Sequence, residues 1–210
     1  MAQRFEAKDS LDDFPTPPWA TRALLEHVIP DKNLAKRSVW EPACGEGHMA
    51  KVLKEYFGRA DVSDISSYGY GEVMDFLAPQ VVRDTDWIIT NPPFRLAERF
   101  ALKALPLAKV AVALLVRTVF IESVGRHERL FSRFKPAIFA QFTERVPMVR
   151  GRLDPKASTA TGYAWIIWTK RSTTKTQLVW IPACRKKLER PTDYLSSPAA
   201  SHIPSQPTLL

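Results

Sequence analysis

The sequence predicts a doubly wound α/β fold with a mostly parallel sheet, and three stretches carry that prediction. Residues 38–53 read as strand, glycine turn and helix: Ser38-Val39-Trp40-Glu41-Pro42-Ala43 is a buried strand ending near an acid, Cys44-Gly45-Glu46-Gly47 is a tight turn, and His48 opens a helix. Lys109–Val116 is the most continuous apolar run, as a central parallel strand buried on both faces requires. Arg59–Asp64 reads as a second strand that also closes in an acid, 23 residues after Glu41.

The remaining elements follow in chain order. Residues 1–12 are polar and expected to be flexible. In Asp13-Phe14-Pro15-Thr16-Pro17-Pro18-Trp19, Thr16 has the chemistry of an N-cap and Pro17 that of a first helical residue. Leu24, Leu25 and Val28 form the apolar stripe of that helix, and Pro30 ends it. The glycine turn at 44–47 lacks the third glycine of a dinucleotide fingerprint, while Gly45 and Gly47 let backbone approach a ligand closely. Of the two acids in the second strand, Asp64 lies at its end, where a carboxylate reaches ribose hydroxyls; Asp61 falls too early. Asp75-Phe76-Leu77 supplies an acid and two apolar side chains suited to an adenine and its amine. Helices are expected over 96–107 and 124–134, the second carrying Arg126, His127 and Arg129 as a solvated basic face. Strands over 136–142 and 163–168 are expected to pair as a terminal antiparallel hairpin, joined by a polar loop at 143–161.

Asn91-Pro92-Pro93-Phe94 is the stretch around which these parts arrange themselves. It follows the short strand Asp86–Thr90, and two consecutive prolines cannot donate to a sheet ladder, so the strand stops in a stiff corner. The Asn91 side chain and the Pro92 carbonyl offer hydrogen-bond acceptors, and Phe94 offers a flat apolar face. Two acceptors beside an aromatic plate suit a planar group carrying an NH₂. Their bonds strengthen as nitrogen gains positive charge during attack, so the corner favours the transition state.

Composition narrows the class. A chain of 210 residues with 45% hydrophobic content predicts one globular domain. No apolar run is long enough for a membrane span, and two cysteines, Cys44 and Cys184, make neither a disulfide framework nor a metal site. Reduced thiols and the lack of a secretory h-region at residues 1–6 point to the cytoplasm. The net charge of +8 is localised. Residues 1–144 hold 19 Lys/Arg and 19 Asp/Glu, whereas 145–190 hold 11 against 2. A neutral body with one basic segment suggests a polyanion met at one place, with Arg145, Arg150, Arg152 and Lys156 as its contacts. The domain is expected to span 13–175, followed by a basic, then Ser/Pro-rich tail over 176–210 that is largely disordered.

Glu41-Pro42-Ala43-Cys44-Gly45-Glu46-Gly47 resembles the cofactor motif of class I S-adenosylmethionine-dependent methyltransferases, in the form typical of their amino-methyltransferase branch. Asn91-Pro92-Pro93-Phe94 resembles that branch's catalytic [DNS]-P-P-[YF] tetrapeptide, and Thr16-Pro17-Pro18 its N-terminal helix motif. The motif order is that of DNA N6-adenine methyltransferases with the recognition region last, and small phage or prophage members look similar over roughly residues 12–170. The resemblance implies a Rossmann-like sheet of seven strands with helices on both faces and one antiparallel strand. It implies S-adenosylmethionine held by Thr16, Glu41, Pro42, Ala43, Cys44, Gly45, Gly47, Asp64, Asp75, Phe76 and Asn91. It further implies that Asn91, Pro92, Pro93 and Phe94 hold the amine of an extruded adenine in DNA, in a bacterial or phage-infected cell, with no metal. Large members carry a separate DNA-recognition domain; here only the 143–161 loop and the basic tail stand in its place. Cytosine N4, RNA or a protein glutamine amide would use the same tetrapeptide, and a non-catalytic nucleic-acid-binding protein on this fold is the alternative of another class.

Overall fold

The computed structural model describes residues 12–171 and 173–194. Eight strands form one sheet: β1 (Ser38–Glu41), β2 (Arg59–Asp64), β3 (Glu72–Val73), β4 (Trp87–Thr90), β5 (Ala111–Arg117), β6 (Ile138–Phe142), β7 (Tyr163–Thr169) and β8 (Gln177–Ile181). Their order across the sheet is β3-β2-β1-β4-β5-β7-β6-β8. Every pairing is parallel except those of β7, which runs antiparallel to both β5 and β6. The expected single reversed strand is therefore β7, and its hairpin with β6 forms in the register Ile138↔Ile167 to Gln141↔Ala164.

Side chains alternate across β5, and this alternation builds two cores. Ala111, Ala113 and Leu115 face α1 (Pro18–His27) and α2 (His48–Tyr56), together with Trp19, Leu24, Leu53 and Trp165. Val112, Leu114 and Val116 face α3 (Ala97–Leu107), where Phe100, Ala101 and Ala104 meet Trp40, Phe76 and Trp168. Residues 111–116 are all buried, as the apolar run predicts for a strand covered on both sides. The fully buried Trp165 donates its indole N–H to the Ala20 carbonyl at 3.2 Å, which pins α1 to β7.

Four expectations need correction. The sheet has eight strands rather than seven, because Gln177–Ile181 adds a parallel edge strand to β6. The domain consequently does not stop at 175: Ile181 is fully buried, α5 (Arg185–Leu188) follows, and Glu144 Oε1 accepts the Cys184 and Arg185 N–H groups at 2.5 and 2.7 Å. A buried Arg22 fastens the last described turn by binding Asp193, Glu55 and the Leu188 carbonyl. The disordered tail expected over 176–210 is therefore ordered through 194; its Ser/Pro-rich part at 195–210, like residues 1–11 of the flexible N-terminus, lies outside the described residues. In α1 the N-cap is Pro17 and the first helical residue is Pro18, one position later than expected; Thr16 is buried, and no side chain caps the helix. The helix expected over 124–134 is a short α4 (Val124–Arg126) that widens into a π turn, His127–Phe131. His127 and Arg129 are exposed, as a solvated basic face requires, and Arg126 and Arg129 also pair with Glu98.

Candidate active site

Because β1, β2, β4 and β5 are parallel, Glu41, Asp64, Thr90 and Arg117 all end at one edge of the sheet. The glycine turn leaves β1 at this edge. Gly45 and Gly47 both have positive φ, and a Cβ on Gly47 would strike the Tyr70 ring at 2.4 Å, so that position accepts glycine alone. Asp64 holds the turn in place: its Oδ2 accepts the Gly45 N–H at 2.9 Å and its Oδ1 accepts the Ser66 N–H at 3.0 Å.

A cleft opens between this turn and the β4 corner. Its free space of about 120 Å³ is several times the ~10–15 Å³ that a cavity needs to admit one water. Thr16, Glu41, Pro42, Ala43, Cys44, Gly45, Asp64, Asp75, Phe76 and Asn91 line it, so ten of the eleven residues expected to hold a cofactor meet in one place. Gly47 is the exception; it sits beneath Tyr70 and starts α2 instead of facing the cleft. Of the tetrapeptide, Asn91 and Pro93 reach the wall, while Pro92 is buried behind it.

The electrostatics of the cleft are one-sided. Asp12, Asp13, Glu41, Glu46, Asp64 and Asp75 line it, and no Lys or Arg does among the described residues. Its one imidazole, His48, is kept toward the neutral form by burial, against the pull of Glu46. Burial, and then the charge of Asp64, hold the Glu41 carboxyl well above its ordinary range. Glu41 is 2% exposed and its Oε2 has no hydrogen-bond partner. Asp13 is raised too, by burial and by Glu46 and Asp64, with Arg150 opposing. A cleft of this kind stabilises a bound cation and repels phosphates. The same burial and acids push the Cys44 thiol up to about 12, so it is a poor nucleophile.

At the corner, the Asn91 amide donates from Nδ2 to the Phe14 carbonyl at 2.8 Å and more weakly to Met148 Sδ at 3.7 Å. Its Oδ1 is buried without a partner. Phe94 differs from expectation, since its ring is not an open plate. Phe14 packs against it at 5.2 Å between centroids, Tyr163 at 6.1 Å, and the Arg117 guanidinium covers it at 4.0 Å. Sequence reasoning missed these partners as site residues, along with Asp12 and Tyr68. For Asp12 and Phe14 the available signal was their closeness to Thr16 in the chain.

The segment between β6 and β7 returns to this edge. Arg117 is paired in register with Tyr163, the Thr118 N–H donates to the Gly162 carbonyl, and the Gly151 N–H donates to the Asp13 carbonyl. Val146 and Met148 are buried, so the segment is anchored in the core and is not wholly polar. Arg145, Arg150, Arg152 and Lys156 lie on it and are exposed; Arg152 pairs with Asp154 at 3.3 Å.

No protein-family model matches the chain, and no curated protein matches it. Solved structures do. A protein described as an RNA methyltransferase of Pyrococcus horikoshii superposes with a TM-score of 0.61 at 15% identity, covering 80% of this chain and 94% of its own. A modification subunit ascribed to a type I restriction enzyme of Vibrio vulnificus YJ016 gives 0.58 at 16% identity over 90% of this chain; the chain spans about half of that subunit, 51%. Magnesium protoporphyrin IX methyltransferase from Synechocystis PCC 6803, solved with S-adenosylmethionine bound, gives 0.53 at 14% identity, covering 73% and 79%. The fold is the Rossmann-like methyltransferase fold.

Proposed function

We propose that the protein transfers a methyl group from S-adenosylmethionine to an exocyclic amine, and that the amine is adenine N6 of DNA. The observation that carries the reading is that one cleft is lined both by six carboxylates and by Asn91, whose buried Oδ1 has no hydrogen-bond partner. A ligand with ammonium and sulfonium groups matches the acidic end, where Glu41 gains a countercharge for its buried carboxyl. Asp75 and Phe76 suit an adenine ring and its amine, and each Asp64 oxygen keeps a lone pair for a ribose hydroxyl. Thr16 stands where α1 begins, in reach of a carboxylate at the helix N-terminus.

When bound, S-adenosylmethionine supplies an electrophilic methyl group, and the transfer leaves a thioether and one proton to be released. The chain's part is positioning and charge. Asn91 Oδ1 accepts an N–H of the target amine, and the bond tightens as the nitrogen becomes cationic. The Pro92 carbonyl, expected from the sequence as the second acceptor, belongs to a buried residue that does not line the cleft, so the acceptor role rests on Asn91. The buried, raised Cys44 thiol takes no covalent role. Arg145, Arg150, Arg152 and Lys156, exposed on a segment tied to the same sheet edge, support a polyanionic substrate.

The test is incubation with methyl-labelled donor and DNA, RNA or protein, followed by digestion and mass spectrometry. N6-methyladenine from DNA is expected, and Asn91→Ala should lower its yield by about 10²–10³-fold. N4-methylcytosine, labelled RNA or labelled protein would move the substrate assignment. No label in any fraction would favour a non-catalytic nucleic-acid-binding protein.

A further inference from the structure

The corner at 91–94 is held from outside its own strand, by the segment Asp12–Pro15. This segment hydrogen-bonds the tetrapeptide twice. The Phe14 carbonyl takes the Asn91 Nδ2–H at 2.8 Å, and Asp12 Oδ2 takes the Phe94 backbone N–H at 2.6 Å. Pro15 restricts Phe14 to extended backbone, which fixes the direction of that carbonyl. Behind the segment, the Asp13 carbonyl accepts the Gly151 N–H, so the strap is itself clamped by the β6–β7 segment.

We infer that this strap sets which way the Asn91 amide points, making Asp12, Phe14 and Met148 positioning residues for the methyl-accepting corner. An asparagine amide has two ends that differ only in hydrogen-bonding sense. The Phe14 carbonyl and the Met148 thioether are both acceptors, so the end facing them must be NH₂. The reversed amide would set two oxygens 2.8 Å apart. The other end, Oδ1, is thereby left buried and without a partner on a residue that lines the cleft, and an unpaired oxygen is the end an amine donor needs. An asparagine without the strap would present either end and would offer a donor to a donor half the time. The inference rests on the methyl-transfer reading and adds how its central acceptor is oriented.

The experiment is the pH profile of methyl transfer by Asn91→Asp in the full chain, beside wild type. Ionised, the new carboxylate opposes the Phe14 carbonyl. Protonated, it donates to that carbonyl and leaves its second oxygen as the acceptor. The variant should therefore work at about pH 5.5 and lose roughly tenfold per unit above its raised pKa, a limb absent from wild type. A variant whose activity stays in constant ratio to wild type, or that is folded yet inactive throughout, overturns the inference. Should Asn91→Asp fail to fold, Asp12→Ala reads the same device. It releases a charge-assisted bond and should lower kcat about tenfold at saturating donor while leaving KM for DNA near wild type. An unchanged kcat, or a change confined to KM, overturns it. Wild type that methylates nothing brings down the functional reading with it; active wild type with a flat ratio brings down the strap alone.

Discussion

At the scale of residues, the sequence displays the corner but not what surrounds it. The double proline after an apolar run is legible because its cause is local: neither ring nitrogen can donate to a ladder. The partners of Asn91 and Phe94 are not legible, because Phe14 and Asp12 lie 77 and 82 positions away. An open aromatic face at Phe94 is what the tetrapeptide alone suggests, and Arg117 and Phe14 cover it. Glu41 makes a separate prediction at this scale. Its folded carboxyl titrates well above the ordinary 4.5, so the folded, ligand-free protein binds more protons than the unfolded chain above that pH. The contribution of this one group is then fully present below about pH 4.5 and falls as pH rises through the raised value, by at most about 1.4 kcal/mol per unit. Thermal melts across this range should show the slope, and Glu41→Gln should flatten it; an equal slope in both proteins would exclude Glu41 as its source.

At the scale of elements, periodicity serves where burial is two-sided or strictly alternating and fails at the edge. β5 stands out as a continuous apolar run because both its faces are covered. β8 does not stand out: in Gln177-Leu178-Val179-Trp180-Ile181, apolar residues occupy both faces, yet Leu178 and Trp180 are 52% and 62% exposed. Basic residues on either side complete the appearance of a tail. The two faces predict opposite outcomes. Ile181→Ala removes a fully buried side chain and should cost about 2–5 kcal/mol. Trp180→Ser, on the exposed face, should stay within about 0.5 kcal/mol. Urea melts of the two variants check this, and equal, negligible effects would contradict the placement of β8 in the sheet.

At the scale of the whole molecule, the chain divides its charge by function. The cofactor side of the cleft is acidic, while cations are displayed on the β6–β7 segment at the same sheet edge. The bulk charge counts show the second feature and hide the first, because residues 1–144 cancel overall and the carboxylates converge only on folding. In the function proposed above, a polyanion would approach from the basic side while the cationic donor is held within, the two kept apart by sign. The reading depends first on the donor, and the most direct measurement is a calorimetric titration of the protein with S-adenosylmethionine beside a nucleoside triphosphate. The account predicts saturable binding of S-adenosylmethionine at one site per chain and no binding of the triphosphate. Heat from the triphosphate alone, or from neither ligand, would contradict it.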